Sequence, residues 1–326
     1  MSPTRPLLAL LASGRALPGD AICARLGIDR PALGDAVQVL RGLGVELNED
    51  GAGGLGLPGP LELLDAERIR AALAPRSRAA LRGLDVHLAI DSTNRDLLDR
   101  APTLPAPWAV LAEVQTAGRG RRGRRWRTPI ASGLALSVLV RLRRPPGGPQ
   151  AFALVMSLAV AEALETLGLP DVGLKWPNDI VWGGAKLGGL LAEASWRGEE
   201  CAAVAGIGLN VALPPDDGRH IDQPWTDLRT AFAGRGAAPG RDALAARVID
   251  HVLDAVPRFE AGGFEPFRPA FEARSTVSGR RVRVLREGDV LDGRAVGVDA
   301  DGALLVDTGG EVARCLAGDV SVRAVP

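Results

Sequence analysis

Residues 109–142 read AVLAEVQTAGRGRRGRRWRTPIASGLALSVLVRL, and this stretch decides the reading of the fold. Residues 109–113 and 133–142 are mostly small and branched apolar side chains, with the character of buried strands. Between them, residues 118–124 read GRGRRGR, with glycines at 118, 120 and 123 that free the backbone to curl. A curl of this kind lets amide N–H groups converge on an anion, while guanidinium forks offer paired hydrogen bonds to phosphate or carboxylate. The loop lacks the G-x-x-x-x-G-K-[ST] spacing of a Walker A motif. Taken alone, it reads as a solvated basic turn or a nucleic-acid patch.

Outward from this stretch, strand-like and helical runs alternate between about residues 86 and 273. Residues 202–213 look like a third buried strand, whereas 151–168 and 242–256 look helical. The pattern predicts an α/β or α+β layer architecture. From Arg281 onward it changes to short alternating strands, with Asp301-Gly302 and Gly309-Gly310 as turns, which suggests a small β-barrel. At the other end, residues 7–11, 20–27 and 31–43 have helical spacing, with Asp20 expected as an N-cap and Pro31 in a first turn. The short turn at Gly27 suits a helix-turn-helix, and residues 45–48 and 55–57 would form a wing. Residues 51–56, GAGGLG, match the dinucleotide fingerprint formally, but Pro58 and Pro60 follow where a helix should begin. They read as a hairpin tip. Residues 61–84 read as a helical, arginine-rich connection.

The length of 326 residues fits two or three domains, and 46% hydrophobic with 24% charged residues describes an ordinary globular chain. The apolar run 151–161 is too short to span a bilayer, and the LLALLA after Pro6 is followed by no small-residue cleavage site. No membrane partner and no signal peptide are expected. Three cysteines, Cys23, Cys201 and Cys315, are too few and too far apart for a disulfide framework or a zinc motif, which points to a reducing cytoplasm. The three histidines, His87, His220 and His251, have no ligand spacing and read as structural or exposed, and no metal site is expected.

The formal net charge is zero, which argues against general nucleic-acid binding, but it hides an asymmetry. Residues 114–161 contain nine arginines and no acid, and six of the nine fall between Arg119 and Arg127. Only two of the 39 basic residues are lysines, Lys175 and Lys186. A lysine is a compact charge on a flexible stem and does what a rigid guanidinium fork cannot, so their shared neighbourhood suggests function. Lys175 opens KWPND, residues 175–179, where Pro177, Asn178 and Asp179 make a turn. Residues 91–94, DSTN, follow a strand and are placed to cap a helix running to Arg100. Aromatic residues are only 4% and tyrosine is absent, which leaves little for RNA to stack on.

In order along the chain stand DSTN, then QTAGRGRRGRRW at 115–126, KWPND, KLGGLL at 186–191 and GIGLN at 206–210. In order and spacing this series resembles the biotin protein ligases, including the bifunctional ligase/repressor members. The resemblance implies a winged helix-turn-helix over residues 1–62, a linker helix over 63–84 and a catalytic domain over 85–275. The catalytic domain would be a mixed-sheet α/β domain like that of class II aminoacyl-tRNA synthetases, followed by an SH3-like β-barrel over 276–326. It also implies the reaction: biotin and ATP, with Mg²⁺, form biotinoyl-5′-AMP, and a lysine of a biotin carboxyl carrier protein then takes the biotinoyl group. Ser92, Thr93, Asn94 and Gln115 would contact the biotin head group. Gly118, Arg119, Gly120 and Arg121 would wrap biotin and the adenylate phosphate, with Gly189 beside them. Lys186 would meet the reacting carboxylate and phosphate. Trp126 and Asn210 would lie near the nucleotide, and Asp179 near the metal or the second step; Lys186, Arg121 and Asp179 are the expected catalytic residues. A homodimer and operator DNA are further partners implied. Residues 1–60 depart from a DNA-binding pattern, with five arginines against six acids and no lysine. Phosphate contacts dominate DNA affinity, and Asp35 sits on the expected recognition helix. A non-catalytic biotin-sensing regulator and a lipoate ligase are the rival readings.

Overall fold

The computed structural model describes residues 2–50, 53–143, 147–286, 289–316 and 321–324. At its centre is a seven-stranded mixed sheet. Its order is Gly83–Ile90, Trp108–Gln115, Gly133–Arg143, Glu200–Asn210, Ala185–Arg197, Asp179–Trp182 and Gly173–Lys175. The first two strands are parallel and the other pairs antiparallel. The strands expected at 109–113, 133–142 and 202–213 are therefore three neighbours in or next to its middle.

Alternation sorts the side chains to two faces. Ala109, Leu111, Val138, Val140 and Leu142 face the main core, which the helix Gly148–Thr166 and the long helix Arg241–Gly262 cover. Val110, Leu139, Ala202 and Val204 face the other way, against Leu97 and Ala101 of the short helix Thr93–Arg100 and its end. The long helix runs past the expected end at 256 and through Pro257 to Gly262. Phe259 explains the continuation: fully buried, it packs on Phe152 with ring centroids 5.7 Å apart. Burying an aromatic side chain outweighs one lost backbone hydrogen bond.

The connection over 61–84 is not one helix. Asp65 caps Ala66–Ala72, the chain breaks before Pro75, and Pro75–Ala80 is a second short helix. The residue before a proline is pushed out of the helical region, which places the break. The Asp65 and Ala74 amides donate to Asp242 and Asp250 of the long helix, so the segment is packed down, and Gly83 already belongs to the sheet.

Residues 2–50 form the helices Thr4–Leu11, Gly19–Leu26 and Arg30–Gly42 around Leu7, Leu8, Leu11, Ile22 and Leu40. Pro18, not Asp20, takes the N-cap position of the second helix, and Asp20 instead pairs with Arg30. The small sheet joins Leu17–Pro18, Gly54–Gly56 and Asn48–Glu49. The expected strand at 45–48 is displaced because Val45 and Leu47 are drawn into the core. Gly51 and Ala52 of the GAGGLG segment lie outside the described residues.

The C-terminal part is a five-stranded antiparallel sheet in the order Val312–Cys315, Leu304–Asp307, Asp289–Val298, Arg281–Arg286 and Ser321–Ala324. Its buried Val282, Val284, Leu304 and Val306 merge with the central core. Among the described residues no helix is long and apolar enough to cross a membrane, and the cysteines form no disulfide.

Candidate functional site

On the sheet face that carries Thr93–Arg100, the strand Glu200–Asn210 changes character along its length. Ala202 and Val204 support the helix, while Gly206 and Gly208 leave bare backbone. An added Cβ at 206 would overlap Asn94, and one at 208 would overlap the Trp126 indole. Both side chains therefore lie flat on the strand. A pocket of about 500 Å³ opens above it, within the range of small-molecule sites.

One end of the pocket is polar and neutral. Ser92 caps its helix by accepting from the Arg95 amide. The Thr93 amide and hydroxyl donate to Gln115 Oε1 at 2.9 and 3.2 Å. Ser137 Oγ lies 2.7 Å from Thr93 Oγ1 and 2.6 Å from Asn94 Oδ1. Asn94 Nδ2 donates to Glu193 Oε2 at 2.8 Å and to the Leu191 carbonyl at 3.1 Å. Ser92, Thr93, Asn94 and Ser137 are all buried, so their rotamers are fixed before any ligand arrives.

The other end is cationic: eight Lys and Arg side chains line the pocket against three carboxylates, Asp179, Asp217 and Asp222. Lys186 Nζ lies 2.6 Å from Asp179 Oδ1, with side chains 17% and 14% exposed, and Asp179 Oδ2 accepts from Gln223 at 3.0 Å. The same Gln223 accepts from Lys175 at 3.2 Å, so both lysines of the chain meet at one amide–carboxylate relay. Arg121 donates to Asn178 Oδ1 at 3.3 Å, joining the arginine loop to the KWPND turn, and Arg124 pairs with Asp222 at 3.2 Å across the mouth. Arg119 pairs with Glu193 at 3.0 Å. Lys186 Nζ also stands 5.9 Å from the Trp126 ring centroid.

The arginine loop differs from the sequence expectation in one respect. The Gly120 amide donates to the Arg124 carbonyl at 2.7 Å, and the Trp126 amide to the Gly118 carbonyl at 2.9 Å. Those N–H groups close a hairpin, so the positive field comes from guanidiniums rather than from converging amides. Gly118 is needed for close approach, because a Cβ there would overlap the Trp126 carbonyl. Gly123 takes a left-handed φ of +69° that suits glycine.

Of the expected site residues, Ser92, Thr93, Asn94, Gln115, Arg119, Gly120, Arg121, Trp126, Asp179, Lys186 and Gly189 line the pocket together. Gly118 stands behind it as a hairpin hinge. Asn210 is buried outside the pocket lining and donates to the Thr226 carbonyl at 3.0 Å, which clamps a loop. His220, expected to be structural or exposed, is exposed and stands on the pocket wall. Sequence reasoning missed Ser137, Glu193, Gln223 and Asp222. Ser137 had a signal, as the single hydroxyl inside an apolar strand.

The chain matches the biotin/lipoate A/B protein ligase family over residues 87–210 and the biotin protein ligase C terminal domain over residues 277–323. It is 35% identical to the bifunctional ligase/repressor BirA of Salmonella typhimurium, covering 98% of this chain and 97% of that one. It is also 35% identical to the biotin–[acetyl-CoA-carboxylase] ligase of Mycobacterium tuberculosis, over 79% of this chain and 98% of the relative. Among solved structures, the Aquifex aeolicus biotin protein ligase in complex with biotin and ATP aligns with a TM-score of 0.61 at 28% identity. That match covers 75% of this chain and 99% of the other.

Proposed function

The chain belongs to the biotin protein ligase family, and from that premise we propose how its pocket carries out a two-step ligation. In the first step a biotin carboxylate oxygen attacks the α-phosphorus of MgATP; the new P–O bond forms as the bond to pyrophosphate breaks. In the second, a carrier lysine amine attacks the acyl carbon of biotinoyl-5′-AMP, and AMP leaves. The carrier is a biotin carboxyl carrier protein.

What supports this reading is the union in one pocket of a neutral hydrogen-bonding end and a cationic end. Ser92, Thr93, Asn94 and Gln115 offer the donors and acceptors that a uncharged ureido ring needs. Arg119, Arg121 and Lys186 stand where two anions must be brought together against their repulsion. Lys186 is held back by Asp179 and, on a flexible stem, follows negative charge from carboxylate to phosphate as it develops. Trp126 offers the adenine a flat surface. Asp179, beside Lys186, is the pocket carboxylate that would hold Mg²⁺ arriving with ATP, and the ion would supply positive charge to the triphosphate. The arginine hairpin, tied to Asn178 and Asp222, keeps water from the adenylate.

We assign residues 1–62 to a winged helix-turn-helix, 63–84 to a packed connector, 85–275 to catalysis and 276–326 to an SH3-like domain. The protein works in a reducing cytoplasm, in keeping with three cysteines that form no disulfide. Operator binding belongs to a homodimer, because one copy has too few free cations. Arg30 and Arg41 of the third helix are paired with Asp20 and Glu49.

The test is incubation of the full chain with biotin, MgATP and a biotin carboxyl carrier domain, read by mass. One biotinoyl group should be added to the carrier, dependent on ATP and not replaced by lipoic acid. No mass gain together with no biotin-dependent ATP–pyrophosphate exchange would overturn the assignment.

A further inference from the structure

Away from the pocket lies a buried ion pair that the ligation chemistry does not use. Glu113 and Arg241 are 3% and 2% exposed, and Arg241 Nη2 donates to Glu113 Oε2 at 2.7 Å. Neither lines the pocket. Burying two charges is costly, and an apolar pair of similar volume is often as stable, so the pair calls for a reason other than stability.

Its hydrogen bonds supply one. Glu113 stands two residues before the end of the strand Trp108–Gln115, from which the chain leaves for the arginine hairpin. The chain returns at Gly133. Glu113 Oε2 accepts from the Ala131 amide at 3.3 Å, and Arg241 Nε donates to the Gly133 carbonyl at 3.0 Å. Departure and return of the loop over residues 116–132 are therefore pinned to one ion pair. Ala131 itself has a φ of +55°, a left-handed conformation that an alanine holds only where its surroundings impose it. The remaining bonds tie the pair to the connector: Arg241 Nη1 donates to the Glu62 carbonyl at 2.7 Å, and Glu113 Oε1 accepts from the Leu64 amide at 2.6 Å.

We propose that Glu113 and Arg241 are positioning residues that fix the two feet of the arginine hairpin and thereby the retention of the acyl-adenylate. The proposal rests on the ligase reading of the pocket. The geometry assigns the pair this role because Glu113 stands on the strand from which the loop departs, its bond from the Ala131 amide and the Arg241 bond to the Gly133 carbonyl hold the return, and neither residue lines the pocket. An apolar pair would fill the space but could not hold the Ala131 amide or the Gly133 carbonyl.

The experiment compares wild type with the paired variant Glu113→Leu/Arg241→Met, which leaves no unpartnered charge, and with Glu113→Gln, which keeps the shape but places a donor among donors. Each is loaded with biotin and MgATP without carrier. Thermal melting, biotin KM, pyrophosphate release in a single turnover and the rate of adenylate escape are measured. For a folded variant we expect escape at least fivefold faster and a raised biotin KM, with the first-turnover rate of pyrophosphate release changed less than escape. Hydrogen exchange should rise at residues 116–132 before it rises in the core strands. An unchanged escape rate in whichever variant folds overturns the proposal. Failure of both to fold would make the pair a determinant of the fold and overturn it equally. A wild type that forms no adenylate would instead overturn the ligase reading, so the two failures are distinct.

Discussion

Replacing Lys186 by alanine removes the cation that is held nearest to a carboxylate partner in the pocket, with Nζ 2.6 Å from Asp179 Oδ1. Two unit charges about 4 Å apart at an effective dielectric near 20 interact by about 4 kcal/mol, an upper bound for Lys186 acting on the transferring phosphoryl group. The surrounding guanidiniums replace part of that field. Loss of one directed donor from a site of developing charge typically costs about 3–4 kcal/mol. We therefore expect a loss of about 2–3 kcal/mol, or roughly 30- to 150-fold in the rate of adenylate formation. Asp179 keeps its bond from Gln223, so the turn should stay in place and biotin binding should change little. Single-turnover pyrophosphate release with saturating biotin and MgATP reads the rate, and melting checks the fold. Lys186→Arg should not restore it, because a planar fork cannot follow the charge. A rate within threefold of wild type in well-folded Lys186→Ala would refute the reasoning.

Arg121→Gly cuts the Asn178 tie of the hairpin; losing a charge-assisted hydrogen bond of about 1.5–3 kcal/mol should speed adenylate escape roughly tenfold or more, read by rapid filtration. Gly206→Ala drives a methyl into Asn94, and overpacking of about 1–3 kcal/mol should weaken biotin binding about tenfold, measured by calorimetry, with a smaller effect on ATP. In gel shifts the adenylate-saturated protein should retard operator DNA at low salt and lose it steeply as salt rises; no shift at low salt would leave ligation as the sole function. Burial pushes the Cys201 thiol up, so it holds less thiolate than usual at neutral pH. Native iodoacetamide should label half-buried Cys23 first, and mass mapping that found Cys201 labelled earliest would contradict the packing.

Much of the catalytic centre was legible because its chemistry forces unusual residue choices. Two lysines in an arginine-rich chain and a loop reading GRGRRGR are visible without coordinates. The buried strands were legible for a different reason: residues 133–142 contain one hydroxyl and otherwise apolar side chains until Arg141. What could not be read are pairings across the fold. Glu193 looks like any strand residue until Asn94 and Arg119 both reach it from over seventy residues earlier in the chain. Asn210 stands in a motif, but its bond to the Thr226 carbonyl sixteen residues on is visible only in the fold. The connector at 61–84 reads as one helical segment because arginine and alanine have high helix propensity, while the local effect of Pro75 divides it.

The glycines at 206 and 208 have a consequence beyond fit. They sit two residues apart on one face of an inner strand, a step of about 6.5–7 Å that a paired strand can hardly stretch. Asn94 is seated on one and Trp126 on the other, so the strand acts as a gauge block between the two ends of the cavity. The distance between those seats is thereby set by the strand and not by the arginine hairpin. A ligand that reaches from one seat to the other is therefore measured by the strand, and changes to the hairpin arginines would leave that span as it is.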